Sequence, residues 1–301
     1  MPHPPAPLPL IVGPTAVGKT AYGLALAKPG THEIISADSR QIYRPLTIGT
    51  AKPSPAELAH VPHHFINEKS LDEPFSAGRF AEEAEARIAE ILARGRTPLI
   101  LGGSTLYVQA LVKGIAQVPP VPAAIRHQVH NELTERGAEA LYRELQHVDP
   151  VVASSMDATK TQRVVRALEV YRATGTPLSI FQAEQTLPAF TYRGTLLHRP
   201  RPELYDRINQ RVDHMLADGL LEEVRALYQQ GYTRQQTPAL RTIGYQEPLR
   251  FLQGDIDYNE MVRLLKRNSR RYAKRQITWY KRYEFAITDL SVSVTGDRPP
   301  T

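Results

Sequence analysis

Apolar residues in the first hundred positions come in short runs, each ending at a glycine or a small polar cluster. Residues 8–12 form one such run and stop at Gly13, and residues 16–27 then take on helical character before Pro29 and Gly30. A second short strand is expected at 33–36. Residues 80–94 read as an amphipathic helix that Gly95 terminates by supplying a left-handed residue. A third strand is expected at 98–101. Strands alternating with helices predict an α/β fold with a parallel sheet flanked by helices, whose ligands gather beyond the carboxyl ends of the strands.

The pattern changes after Gly114, where Val118, Pro119, Pro120, Val121 and Pro122 make a stiff connector. Helices are expected at 123–136, 138–147 and 161–174, with Gly175 as a stop and Pro177 opening another turn. Strand character returns at 194–198, followed by long helices at 201–230 and 259–283 and a last strand at 284–288. Residues 1–116 and 196–301 therefore read as two parts of one core, interrupted by an all-helical insertion domain at 117–195. The two proline-rich ends are expected to lack regular structure.

Composition narrows the chemistry. The 301 residues include 42 % hydrophobic ones, enough for a buried core, and no cysteine, which excludes disulfides and thiolate metal sites. The start of the chain has no signal-peptide pattern and no stretch reaches membrane-spanning length, so a cytoplasmic protein is expected. The net charge is +6, yet Lys266, Arg267, Arg270, Arg271, Lys274, Arg275, Lys281 and Arg282 share one segment without an acidic residue. That segment exceeds the whole net charge, and it reads equally as a polyanion contact or a solvated helix face.

Gly13, Pro14, Thr15, Ala16, Val17, Gly18, Lys19 and Thr20 fit the P-loop pattern G-x-x-x-x-G-K-[ST], with a strand before and a helix after. The glycines let backbone N–H groups converge on phosphate oxygens, the helix N-terminus adds positive potential, Lys19 adds a charge and Thr20 offers a hydroxyl to Mg2+. The motif speaks for phosphate, not for a particular ligand. A nucleotide hydrolase would carry a magnesium-ordering Asp at another strand end, but residues 98–101 run straight into Gly102, Gly103 and Ser104. The carboxylate at a strand end near the loop is Asp38, followed by Ser39, Gln41 and Tyr43. It suits a base facing an acceptor, or a turn cap. His63 and His64 lack the spacing of a helical metal pair and are assigned no metal. Arg207 and Arg211 share a helix face where surface ion pairs explain them as well as phosphates do, and they are left out of the site.

GPTAVGKT, then DSRQIY (38–43), GTAKP (49–53), PHHF (62–65), GGSTLY (102–107), QRVVRALEVY (162–171), IGYQE (243–247) and AKRQITWYKR (273–282) make the chain resemble the bacterial tRNA dimethylallyltransferases. The resemblance spans nearly the whole chain. It implies a P-loop NTPase-like core, a helical insert that clamps the tRNA anticodon stem-loop, and transfer of dimethylallyl from dimethylallyl diphosphate to N6 of adenosine 37, 3′ to the anticodon. It makes residues 13–20 the diphosphate cradle, with Mg2+ shared by Thr20, and places Asp38 as general base beside Ser104 and Arg241. The tRNA contacts it implies are Asp38, Ser39, Arg40, Gln41, Ser104 and Arg126, then Gln162, Arg163, Val164, Val165 and Arg166. They continue through Arg241, Thr242, Ile243, Gly244, Tyr245 and Gln246, and through Lys274, Arg275, Gln276, Ile277, Thr278, Trp279, Tyr280 and Lys281. A monomer is expected. Ser104 stands where the family usually has threonine and keeps the hydroxyl without the rotamer-restricting methyl, with Thr105 as a fallback. Lys160 replaces a commonly acidic residue, leaving Thr161 to cap the following helix.

These residue types match the chemistry. An allylic diphosphate ionises readily, so the enzyme must chiefly neutralise the leaving diphosphate. The adenine amine is a poor nucleophile that becomes acidic only as its C–N bond forms, which a positioned carboxylate can exploit. Two other classes share the loop: a small-molecule kinase, to which the basic helix is surplus, and a nucleotide-gated RNA-binding module, to which Asp38 is surplus. Trp279 reads as a packing anchor before a base platform.

Overall fold

The computed structural model describes residues 6–291; most of the two proline-rich ends lies outside them. Two compact units form, one from the residues up to Val112 together with those from Ala189, the other from Lys113–Pro188. The first begins β1 (Leu8–Val12), α1 (Lys19–Leu26), β2 (His32–Ala37), α2 (Pro55–His60), β3 (His63–His64), α3 (Ala77–Ala93), β4 (Thr97–Gly102), α4 (Thr105–Lys113). The helical unit holds α5 (Ala123–Val148), α6 (Pro150–Ala153), α7 (Thr161–Thr174) and α8 (Leu178–Ala183). The first unit resumes with β5 (Tyr192–His198), α9 (Arg201–Ala217), α10 (Leu220–Gln229), α11 (Gln246–Leu252), α12 (Tyr258–Tyr280) and β6 (Ala286–Asp289).

The sheet has six strands in the order β3-β2-β4-β1-β5-β6, and every pair is parallel. Its central strands are covered on both faces, so they read as continuous apolar runs: Leu10, Val12, Ile35 and Ile100 are fully buried. Register then decides where the chemistry lies. Val12 pairs with Gly102, and Gly102 with Ala37. Gly13, Gly103 and Asp38 therefore leave three adjacent strands at the same sheet edge.

Several boundaries differ from expectation for local reasons. The helix begins three residues early, at Ala77, because Ser76 accepts from Arg79 N and caps it. The expected helix 201–230 is two helices, since Gly219 adopts φ 96° and ends α9's path. Residues 105–113, to which the sequence pattern assigned no element, form α4. The helical unit ends at Pro188 rather than 195 because β5 already pairs with β1 at Tyr192. Gly137, at φ 77°, breaks α5 between the two arms that the sequence suggests. Thr161 is the first residue of α7 and does not cap it; Lys160 occupies the cap position with no side-chain bond.

The helical unit packs Val129, Leu141, Leu145, Val164, Val165 and Leu168 into its own core. On its flank Arg172 donates to both Glu132 oxygens at 2.5 and 2.7 Å and to Glu144 at 2.6 Å.

Near the start of β2, Glu33 is 2 % exposed and binds three neighbours. Arg94 and Arg96 donate to it at 2.8 and 2.9 Å, and His64 Nε2 at 2.6 Å, while Arg87 donates to His64 Nδ1. Burial alone would raise the Glu33 carboxyl, but the bonds from Arg94, His64 and Arg96 hold it at about 2. The folded value lies below the ordinary 4.5, so this stabilisation is complete above that pH and is lost as pH falls towards 2. Glu33→Ala should cost about 3 kcal/mol, at the low end for a broken buried pair because the arginines are partly exposed. Urea unfolding at pH 7 and pH 3 checks this, and the gap between wild type and variant should narrow at the lower pH.

Candidate active site

The loop that follows β1 wraps the start of α1, whose first residue is Lys19. Gly18 takes φ 113°, and Ala16 sits at φ 64°, a left-handed conformation that a non-glycine residue holds only when its surroundings fix it. Here they do. Arg207 Nε donates to Ala16 O and Arg199 Nε to Val17 O, both at 2.9 Å, and Arg211 Nη1 reaches Thr15 Oγ1 at 3.4 Å. Three consecutive loop residues are thus gripped by arginines from the β5–α9 segment. Lys19 Nζ donates to Gly13 O and Pro14 O, at 3.0 and 2.9 Å. Desolvation first, and Arg211 second, lower its pKa to about 8 against the pull of Asp38. A phosphate would find the ammonium in place, with the Thr20 hydroxyl in the first turn of α1 beside it.

Arg211 lines the cavity described below and Arg207 holds the loop, although sequence spacing alone left both outside the site. Arg211 has no acidic residue three or four positions away, so helix-neighbour ion pairing could not account for it; that was the available signal.

Asp38 follows β2 directly. Its Oδ1 accepts from Arg40 N at 2.8 Å and Gln41 N at 3.3 Å, making a tight turn. The turn-cap reading therefore holds, and the side chain also lines a cavity of about 380 Å³. Ser104 Oγ accepts from Ser39 N at 2.8 Å and donates to Ser39 Oγ at 3.2 Å, locking the two strand-end loops together. Thr105 is not needed for that bond. The cavity is polar where Thr15, Asp38, Ser104, Arg211, Arg241 and Arg275 face it and apolar along Ile208, Val212, Met215 and Leu265.

A second set of bonds builds the part of the wall formed by Gly49, Thr50 and Ala51. Gln41 Nε2 donates to Thr50 O and Ala51 O. Glu223 on α10 accepts from the backbone N–H groups of Thr47, Ile48 and Gly49 and from Tyr245 Oη–H at 2.6 Å. The buried Tyr245 ring lies so close to Gly49 that a Cβ there would stand 2.5 Å from it. Gly49 is glycine because this approach leaves no room for a side chain. Arg241 spends Nε and Nη2 on Arg234 O and Gln235 O, both at 2.7 Å, which fixes its guanidinium at the cavity.

Helix α12 has two faces. Arg271, Lys274, Arg275 and Thr278 are exposed, as is Lys281 just past its end, whereas Ala273, Gln276 and Tyr280 are buried. Lys266 is paired with Asp213 at 2.6 Å; Lys274 and Lys281 have no acidic partner among the described residues. Gln276 Oε1 accepts from Thr15 N at 2.9 Å and its Nε2 donates to Gly103 O at 2.6 Å. Its side chain is consumed as a brace between the phosphate loop and the β4–α4 loop, so it is not available for RNA. Tyr245, Tyr280, Val164 and Val165 are likewise buried and Ile277 packs on the core, which leaves only their backbones to meet a partner. Trp279 packs on Tyr280 and Tyr283, with centroids at 5.2 and 4.7 Å, as an anchor does.

In the helical unit, Gln162, Arg163 and Arg166 are exposed on α7, with Arg166 3.6 Å from Glu169. Arg126 donates to Val121 O at 2.8 Å. His63 and His64 lie in β3, held by Val61 O and Glu33.

A family model described as IPP transferase matches residues 41–283. A protein of Salinibacter ruber called tRNA dimethylallyltransferase is 56 % identical over 278 residues, which cover 92 % of this chain and 86 % of the relative. A relative of the same name from Chlorobium chlorochromatii is 49 % identical, covering 94 % and 92 %. Among solved structures, the tRNA isopentenylpyrophosphate transferase of Bacillus halodurans is similar with a TM-score of 0.67 at 39 % identity, covering 94 % of this chain and 89 % of that one. A eukaryotic dimethylallyltransferase described as acting on tRNA gives a TM-score of 0.78 at 28 % identity, with 94 % and 73 % coverage.

Proposed function

Since this chain belongs to the IPP transferase family, the tRNA dimethylallyltransferases, we propose that the cavity beside Asp38 is where dimethylallyl diphosphate meets N6 of adenosine 37. The enzyme is a transferase that places a dimethylallyl group on a tRNA adenosine. One observation carries the assignment of the site: the phosphate loop, Asp38 and the Gly103–Ser104 loop leave three adjacent strands at one edge, with Asp38 and Ser104 lining the cavity.

The donor C1–O bond breaks with its electron pair leaving on the diphosphate, and the N6–C1 bond forms. The loop N–H groups, Lys19 and Arg211 take up the growing negative charge, each well-placed donor lowering the barrier by roughly 3 kcal/mol. N6 loses its proton to Asp38 as the new bond develops. Ser104 holds the loop that carries Asp38, and Ile208, Val212 and Leu265 shield the allylic carbon from water. Among the described residues no three His, Asp or Glu side chains converge, which suits a cation held mainly by phosphate oxygens and water. Thr20 would hold Mg2+ there, and the ion when bound would neutralise charge on the leaving diphosphate.

The exposed bases of α12 and Arg126, Gln162, Arg163 and Arg166 of the helical unit are the RNA-contacting groups in this reading. Lys274→Ala with Arg275→Ala should weaken tRNA binding by about tenfold and flatten the slope of log affinity against log salt by about 1.5. Filter binding across a salt series checks it; an unchanged slope makes that face merely solvated. We place the reaction in the cytoplasm, with the protein acting as a monomer. No helix of the described residues is long and apolar enough to cross a membrane.

Incubating unmodified tRNA, labelled dimethylallyl diphosphate and magnesium without nucleotide tests the function. Label should enter the tRNA. A requirement for ATP would overturn the reading in favour of a kinase.

A further inference from the structure

Glu247 directly follows the loop that gives the cavity Arg241, Thr242, Ile243, Gly244 and Gln246, and it is 1 % exposed. A carboxylate so placed usually meets a cation. Among the described residues this one meets three neutral donors instead. Its Oε2 accepts from Gly244 N at 3.1 Å, and its Oε1 from Gln246 Nε2 at 3.0 Å and Asn268 Nδ2 at 2.8 Å. A carboxylate only accepts, so the amides around it have no choice of face. Asn268 agrees from its other end, where Oδ1 accepts from Arg267 Nε at 3.4 Å. Gln246 is thereby locked with its NH2 towards Glu247. Its Oε1 is left over, with no protein donor among the described residues.

Of the side chains that line the cavity, only those of Asp38 and Gln246 carry an oxygen that accepts and cannot donate; the others end in hydroxyls, guanidiniums or apolar groups. A fixed acceptor calls for a donor on the guest. Dimethylallyl diphosphate has none, so the guest is the RNA. The acceptor adenine brings two N6 hydrogens, of which Asp38 takes one. We propose that Gln246 Oε1 accepts the other, the hydrogen that stays on the product, and that Glu247 is the positioning residue that keeps this oxygen turned to the base. With both hydrogens held, the plane of the amine is set before C1 approaches its face. A keto base in the same seat would bring its O6 against Gln246 Oε1, acceptor against acceptor, so the pair also sorts adenine from hypoxanthine and guanine. This rests on the cavity being the prenyl-transfer site.

Gln246→Met keeps the length of the side chain and loses the acceptor. Glu247→Gln keeps the shape but must turn an NH2 towards one of its three donors, which frees the Gln246 amide to flip. Anticodon stem-loops with adenosine or inosine at position 37, and with inosine instead at an adenosine beside it, are compared by filter binding. Inosine can bind but has no N6 to alkylate. The wild type should bind the form with inosine at 37 about tenfold more weakly than the adenosine form. That ratio should fall about fivefold in Gln246→Met and about threefold in Glu247→Gln; a general loosening of the fold weakens both stem-loops alike and leaves it unmoved. Gln246 is half-buried, so its variant carries the test where a thermal melt shows Glu247→Gln unfolded. If the wild type transfers dimethylallyl to the adenosine stem-loop, an unchanged ratio in Gln246→Met, or a shift confined to inosine beside position 37, overturns this proposal alone. Failure of that transfer overturns the prenyl-transfer reading itself, and this proposal with it.

Discussion

Asp38→Asn should lower the rate of transfer about 10²- to 10⁴-fold, the usual worth of a positioned proton acceptor, while tRNA affinity changes by less than about twofold. The substitution is chosen for what it leaves intact. Asparagine keeps the side-chain oxygen that accepts from Arg40 N and Gln41 N, so the turn that carries Ser39 to Gln41 stays folded. It removes the capacity to take a proton, together with the negative charge that acts on Lys19. Alanine would remove the turn-capping oxygen as well, and a lost turn could be mistaken for a lost base. Single-turnover rates and filter-binding affinities on the same preparation separate the two. An equal fall in affinity and rate would make Asp38 an RNA-binding and turn-forming residue only.

Gln276→Leu is the second large effect. It strands Thr15 N–H and Gly103 C=O in a buried place, and leaving two such groups unpaired should cost about 2 to 4 kcal/mol of stability. The catalytic loss should be out of proportion to distance, because the brace sets the separation between the diphosphate cradle and the loop bearing Ser104. A displacement of that kind can cost about 10²-fold in kcat/KM. The expected signature is a raised KM for the donor and a lowered rate with tRNA affinity preserved. A variant that loses tRNA affinity while keeping the donor KM would return Gln276 to the RNA surface.

The parts of this molecule that announce themselves in sequence are those governed by neighbours a few residues away. Gly18, Gly95 and Gly175 end or begin helices because a left-handed residue is needed there, and an apolar run such as residues 8–12 can only be a buried strand. Residue spacing also singled out residues 13–20 and Asp38, whose loops leave adjacent strands. What it did not reach is set by partners far along the chain. Gln276 looked like part of a basic RNA stripe until its bonds to Thr15 and Gly103, 261 and 173 residues away, assigned it to the interior. Glu223 carried no motif at all, since its three backbone partners lie 174 to 176 residues off. Arg207 and Arg211 were ambiguous for the same reason. Loop capture by an arginine leaves no spacing to read, and only at Arg211 is there a charge without a counter-charge one helical turn away.

The turn at residues 47–52 is tied from every side: its N–H groups to Glu223, its carbonyls to Gln41, its lysine to Tyr43, Arg44 and Asn67. A wall with its polar groups already satisfied has nothing to gain by re-forming around a guest. In the proposed reaction it would act as a rigid sieve, turning away a misfitting molecule on arrival instead of closing over it and releasing it later. Selection made that way would fall before ionisation begins, so a reactive carbocation would be generated only from a molecule that has already passed the gauge.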